Sequence, residues 1–244
     1  MTTYFISDLH LHSPDSLVYS GFRDFLRAKS ADADALYILG DFFDAWIGDD
    51  DETPFINEVK DLLRAFSYKA PVYLCVGNRD FLLGERFAEE TGVQLLRDET
   101  VIDLCGERVL LVHGDALCTD DTEYMQFRAM VRNPEWQQKV MSLPLDQRRQ
   151  MAAGLRAQSK SLNAMKAEDI MDVNQSAVEQ CMEKHGVKRL IHGHTHRPSR
   201  HEISLSDGSL AERIVLGDWN ATGWCIKADD DIELMEFDLA PTTV

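Results

Sequence analysis

Two doublets in the 244-residue chain, Asp8-Leu-His10 and His194-Thr-His196, set metal-binding side chains two residues apart. At the end of a β-strand that spacing puts both on one face, because alternate residues point the same way. Each doublet closes a short apolar run, Thr3-Tyr-Phe-Ile-Ser or Lys188-Arg-Leu-Ile-His-Gly. Similar runs end in Asp41 (with Asp44 three residues on), in Asn78 and in His113. Singly, such a residue is more often a cap or a loop polar group than a ligand. Seven of them at the ends of five apolar runs read as a metal centre: Asp8, His10, Asp41, Asn78, His113, His194 and His196. Every donor is oxygen or imidazole nitrogen, and one is a neutral amide. That set suits Mn²⁺ or another octahedral first-row ion better than structural zinc. Asp41, on a central strand, is placed to bridge two cations.

Beside the amide stands Arg79, in Val76-Gly-Asn-Arg-Asp-Phe81. A guanidinium stays charged and cannot donate a proton in catalysis. Its place at the centre calls for an anionic ligand.

The runs that carry these residues are continuous and rich in β-branched residues and Leu, as in strands buried on both faces. Helical patterns lie between several of them, at Gly21 to Ala28, Pro54 to Ser67 and Gly84 to Thr91. Strand–helix alternation predicts an α/β fold with ligands gathered at the carboxyl ends of the strands. A hairpin is expected around Gly106. From Thr119 to Met182 no strand-like run occurs, and helix formers dominate between Pro134 and Pro144 and beyond. We therefore divide the chain into a core, 1–118 and 183–244, and a helical cap inserted over the site, 119–182.

Net charge is −17, which argues against a nucleic-acid partner, since phosphate contacts need a basic footprint. Yet from Gln126 to Lys166 eight residues are basic and two acidic. A solvated helix face is the usual explanation of such a run, and an anionic partner is the alternative that a reversal this sharp raises; Arg128 and Arg132, beside Trp136, are candidates for substrate phosphates or for a lipid surface. Arg156, Ser159, Asn163 and Lys166 fall on one helix face by their spacing. Phe127, Met130, Val131, Trp136, Val140, Met141, Met151, Leu155, Leu162 and Met165 supply either a small cap core or a groove for apolar chains. The five cysteines are scattered and read as buried small hydrophobes. No apolar run approaches the ~20 residues that span a bilayer, and the N-terminus lacks a leader pattern, so a cytoplasmic location is expected.

The ordered set Asp8-x-His10, Gly40-Asp41-x-x-Asp44, Gly77-Asn78-Arg79-Asp80, His113-Gly114 and Gly193-His194-Thr-His196 resembles the calcineurin-like metallophosphoesterases. That resemblance implies a four-layer αββα sandwich. It also implies two cations, one held by Asp8, His10, Asp41 and His196, the other by Asp41, Asn78, His113 and His194. Such a pair polarises a phosphoryl group and activates water for in-line displacement. The superfamily's common motif has histidine where this chain has Arg79. A fixed cation stabilises phosphoryl charge but protonates nothing, which favours a leaving group that needs no proton, such as a phosphate within a pyrophosphate. Asp44 and Asp80 are expected to brace the site, Asp80 by pairing with Arg79 or a strand-end amide.

The Asn-Arg-Asp variant, Asp41-Phe-Phe-Asp44-Ala-Trp-Ile-Gly48 and the basic insertion together are similar to a lipid A pathway family. Its members cleave UDP-2,3-diacylglucosamine at the α-phosphorus. The similarity implies Mn²⁺ as the metal and substrate contacts from Asn78, Arg79, Asp121, Ser159, Asn163, Lys166 and His194; Arg156 joins them from its helix face. It further implies peripheral attachment to the cytoplasmic face of a Gram-negative inner membrane. A soluble nucleotide pyrophosphatase or phosphodiesterase of the same superfamily is the alternative enzyme, and a catalytically silent metal-dependent scaffold the alternative of another class.

Overall fold

The computed structural model describes residues 1–163 and 172–239, and the side chains of all of these except 158–163. The chain runs β1 (Thr3–Ile6), α1 (Leu17–Lys29), β2 (Ala35–Leu39), α2 (Pro54–Ser67), β3 (Val72–Cys75), α3 (Glu85–Thr91) and β4 (Gln94–Leu95). A hairpin of β5 (Thr100–Leu104) and β6 (Glu107–Leu111) follows, turning at Gly106. The helices α4 (Thr122–Val131), α5 (Pro134–Met141), α6 (Leu145–Asn163) and α7 (Gln175–His185) come next. Then come β7 (Arg189–His192), β8 (Ser199–Ser204), β9 (Leu210–Val215), β10 (Thr222–Ala228) and β11 (Ile232–Asp238).

Two mixed sheets form, ordered β11-β10-β1-β2-β3-β4 and β5-β6-β7-β9-β8. Within them β1 to β4 are parallel, as are β6, β7 and β9. The alternation of side chains along each strand makes three separate apolar layers. In β1, Phe5 faces inward with Leu39, Val109, Leu111, Ile191 and Ile214, filling the space between the sheets. Its neighbours Tyr4 and Ile6 face outward, against Phe22, Val59, Leu63 and Phe87 of α1 to α3. On the far side, Leu110, Val112 and Leu190 pack against Val178, Cys181 and Met182 of α7. Helix, sheet, sheet, helix is the four-layer order expected.

Both prolines noted in the insertion mark helix starts. Pro134 opens α5 behind the cap Asn133, whose side chain accepts from Glu135 and Trp136 N–H, and Pro144 precedes α6. A missing N–H costs nothing in a first turn. α7, which begins inside the 119–182 segment, packs on the second sheet.

The insertion's positive charge has a different fate from the one its sequence suggested. Arg128 pairs with Asp98 and Asp115 at 2.8 and 2.9 Å. Arg132 donates to the carbonyls of Val76 and Gly77 and meets Asp98 at 3.5 Å. Arg148 binds Asp50 and the Ile47 carbonyl, Arg149 binds Asp51, and Arg156 reaches Asp44. All of these acids precede the insertion in the chain. Arg128 and Arg132 are thus committed to holding the cap on the core, which removes them as lipid or phosphate ligands. The cysteine reading also needs one correction: four are buried, but Cys105 is exposed, at the hairpin turn.

Candidate metal centre

The parallel strands deliver their polar ends to one edge. Beyond β1 and β2 the backbones stay side by side, with Asp8 N–H donating to Gly40 O and His10 N–H to Asp41 O. Gly193 N–H donates to His113 O, and His194 N–H to the Asp8 carboxylate at 2.9 Å. Such closeness leaves no room for side chains between: a Cβ on Gly77 would lie 2.1 Å from Asp41 Oδ1, and one on Gly193 would lie 2.2 Å from Asp8 Oδ2. Among the described residues six non-glycine residues have positive φ, and five of them are Asp8, His10, Asp41, His194 and His196. L-residues avoid this region, and such outliers cluster where a site over-determines them.

The side chains converge in two groups that share Asp8, one with His10 and His196, the other with Asp41 and His113. His196 Nε2 lies 3.4 Å from Asp8 Oδ1 and 3.3 Å from His10 Nε2. Asp41 turns Oδ2 toward His10 (3.9 Å) and Oδ1 toward His113 (3.6 Å), the disposition of a bridging carboxylate. His113 Nδ1 donates to Leu39 O, fixing the tautomer that leaves Nε2 as the lone-pair donor. That nitrogen faces Asn78 Oδ1 at 3.0 Å, so two acceptors aim into one space. The buried Asp8 Oδ1 and His10 Nδ1 have no hydrogen-bond partner. Burial pushes His10 down to about 3 and His194 to about 4, keeping both imidazoles neutral and available. Burial drives Asp41 up to about 7; His113 opposes it and the carboxylates of Asp80 and Asp8 reinforce it. At Asp8 burial acts upward too, but His196, 3.4 Å away, and the surrounding imidazoles hold the carboxyl well below its usual range. Orphaned acceptors, facing lone pairs and crowded buried carboxylates fit two divalent cations.

Around this cluster the structure places several supports. Asp80, wholly buried, accepts from the amides of Phe42, Phe43 and Gly77. Of the two roles expected of it, it takes the strand-end amides. Arg79 N–H donates to Asp41 Oδ1, and its guanidinium Nε lies 4.0 Å from Asp41 Oδ2. Asp44 is engaged by Arg156. Asp121 is the N-cap of α4, its carboxylate accepting from Tyr124 N–H. The backbones of Ser159 and Asn163 belong to α6, but their side chains, and Lys166 entirely, lie outside the described residues.

Three neighbours are not among the site residues expected from the sequence. Asp218, directly after the apolar run Arg213-Ile-Val-Leu-Gly, sits 3.7 Å from His196 Nδ1. Asp115 is buried and binds Tyr124 OH (2.8 Å) and Arg128. Tyr124 lays its ring near that of His194, centroids 5.8 Å apart. Asp115 carried a signal in its position two residues after His113, and Asp218 in closing an apolar run like those of the ligands.

A cavity of about 400 Å³ opens from this centre between the core and the insertion. Asn78, Arg79, Asp44 and Arg156 form its polar end, while Trp46, Phe81, Phe127, Trp136, Val140, Met151 and Leu155 line the rest. Of the other apolar insertion residues, Val131 is buried and Met130 and Met141 are exposed; Leu162 and Met165 lie outside the described side chains.

The calcineurin-like phosphoesterase family model matches residues 1–198. A UDP-2,3-diacylglucosamine hydrolase of Cellvibrio japonicus is 55% identical over 93% of this chain and 95% of its own. One of Serratia proteamaculans is 50% identical over 97% of this chain and 99% of its own. Among solved structures, an archaeal phosphodiesterase shares the fold, with a TM-score of 0.51 at 14% identity, over 97% of this chain and 100% of that one.

Asp80→Asn is expected to turn an NH₂ toward a backbone amide and leave at least one donor unmet. The cost is about 1–3 kcal/mol of stability in chemical denaturation. Divalent-cation affinity by calorimetry should fall about 10–100-fold.

Proposed function

Because the chain belongs to the calcineurin-like phosphoesterases, we propose that it hydrolyses UDP-2,3-diacylglucosamine, water attacking the α-phosphorus to give 2,3-diacylglucosamine 1-phosphate and UMP. Near-full-length identity of 50–55% to hydrolases of that name carries the reading. The apolar cavity joined to a cluster built for two cations supports it.

Asp8, His10, Asp41 and His196 would hold one cation and Asp41, Asn78, His113 and His194 the other, Mn²⁺ being the ion that best suits oxygen and imidazole donors. Two such ions supply phosphoryl polarisation and an activated water. The chain's own residues do the rest. The charge of Arg79, at the mouth between the cluster and the cavity, stabilises the phosphates as negative charge moves onto the leaving group. That leaving group is a sugar phosphate with a second pKa of about 6, so no proton donor is required. Arg156, drawn from Asp44, is within the polar end and would meet the glucosamine phosphate; Asp121, Ser159, Asn163 and Lys166 complete the substrate contacts. The wall from Trp46 to Leu155 takes an acyl chain and excludes water from it.

The lipid substrate places the enzyme at the cytoplasmic face of an inner membrane, attached peripherally. No described helix is long and apolar enough to cross a bilayer. With most of the described insertion's arginines ion-paired, contact falls to the exposed Met130 and Met141 and to Lys139. Vesicles of anionic lipid should carry the protein down on sedimentation, and Met130→Ser with Met141→Ser should leave more in the supernatant. Full recovery in the supernatant without substitution would refute the attachment.

Acyl length provides the decisive kinetic test. Each CH₂ removed from a chain seated in the cavity forfeits about 0.8 kcal/mol, roughly fourfold in kcat/KM. Rates indifferent to chain length would instead indicate a soluble nucleotide substrate. Arg79→His is expected to lower kcat about 10²-fold, the usual cost of one charge-stabilising donor; undiminished turnover would remove Arg79 from the mechanism.

A further inference from the structure

On the outer face of the second sheet a different set of donors meets. We propose that Glu99, Cys181 and His185 form a binding site for a borderline-soft divalent cation, Zn²⁺ by preference, separate from the strand-end cluster. Cys181 and His185 are four residues apart on α7 and share one helix face; Glu99 comes from the residue before β5. One ligand atom from each lies within 4.8 Å of the others. His185 Nε2 is 2.7 Å from Glu99 Oε2.

The cysteine is what gives this site its selectivity. Its thiol is buried, only 7% exposed, and makes no hydrogen bond among the described residues. Glu99 and His185 are half-buried, leaving a solvent side by which an ion enters and a water completes tetrahedral coordination. Sulfur, nitrogen and oxygen together suit zinc, whereas Mn²⁺ and Mg²⁺ avoid thiolates. The strand-end cluster has no sulfur, so the two sites sort ions by softness.

Two interactions compete. His185 Nε2 donates to Glu99 Oε2, so its proton must move to Nδ1 before that nitrogen can ligate. Lys184 Nζ lies 2.5 Å from Glu99 Oε2, but its side chain is 64% exposed. Solvent screens an exposed pair of this kind, so it contributes too little to exclude a multiply liganded cation. Burial and the Glu99 charge push the Cys181 thiol up to about 11. Binding therefore forms a metal–sulfur bond and releases the thiol proton to buffer. Next to Glu99, Asp98 anchors Arg128 and Arg132 of the cap helix. An ion that ties Glu99 to α7 thus stiffens the segment on which the cap is fastened.

Co²⁺ titrated into the full-length protein, its strand-end cluster first loaded with Mn²⁺, is expected to give a thiolate-to-cobalt charge-transfer band in the near ultraviolet. Competing Zn²⁺ should abolish that band. Cys181→Ala should remove it and Cys105→Ala should leave it unchanged. His185→Gln, a half-exposed change that spares the core, should weaken Co²⁺ binding at least about tenfold, as losses of even indirect metal partners do. Absence of the band, or its persistence in Cys181→Ala, would overturn the assignment. Unaltered affinity in His185→Gln would do so too.

Discussion

Asp8 and Asp41 lie at the floor of the site with essentially no exposure, and their charges are what the rest of the molecule must accommodate. An uncompensated buried carboxylate costs several kcal/mol. The imidazoles around Asp8 offset part of it, and Arg79 reaches Asp41 only at 4.0 Å, so neither offsets it fully. Two cations do, and the surrounding backbone is shaped for them. Five candidate ligands hold left-handed conformations at up to about 1–2 kcal/mol each, in sum a large share of a domain's net stability. Burial of three apolar layers and the amides gathered by Asp80 keep those strand ends in place. Stability generated in the layers is concentrated as strain and charge at one edge.

The insertion answers the same constraint from above. A core this acidic attracts a basic segment, and Arg128, Arg148, Arg149 and Arg156 settle on Asp98, Asp115, Asp50, Asp51 and Asp44. Three of these arginines sit on α6 and grip the stretch from Asp44 to Asp51, which also carries Trp46. The cavity forms under that grip, with its polar end at Arg79 and its apolar wall drawn from both sides. Electrostatics close the cap, and the same closure creates an apolar space beside a charged centre. A lipid-linked pyrophosphate needs both at once.

Much of this was legible in the sequence for a physical reason. Strands buried on both faces must be continuous apolar runs, and ligands at their carboxyl ends must follow directly, so Asp8-x-His10 or Gly77-Asn78-Arg79 announces both strand and site. α2 begins and ends where its pattern does, at Pro54 and Ser67. Pairings between distant segments were not legible. Nothing local says that Arg132 will spend its guanidinium on Val76 and Gly77 carbonyls, that Asp218 will stand by His196, or that Tyr124 will lie against His194. The charge reversal was visible, but its partner lay within the chain itself. Cys105 escaped because an apolar strand reading cannot mark the residue at which a hairpin turns out to solvent.

Hydrolysis of UDP-2,3-diacylglucosamine in H₂¹⁸O, with Mn²⁺ added to the purified protein, tests the central claim most directly. In the proposed reading Asp41 would bridge two cations and Arg79 would meet the phosphates, with water attacking the α-phosphorus, so the label is predicted in UMP and absent from the lipid phosphate. Label in the lipid phosphate, or equal turnover after chelation of all divalent cations, would contradict the account.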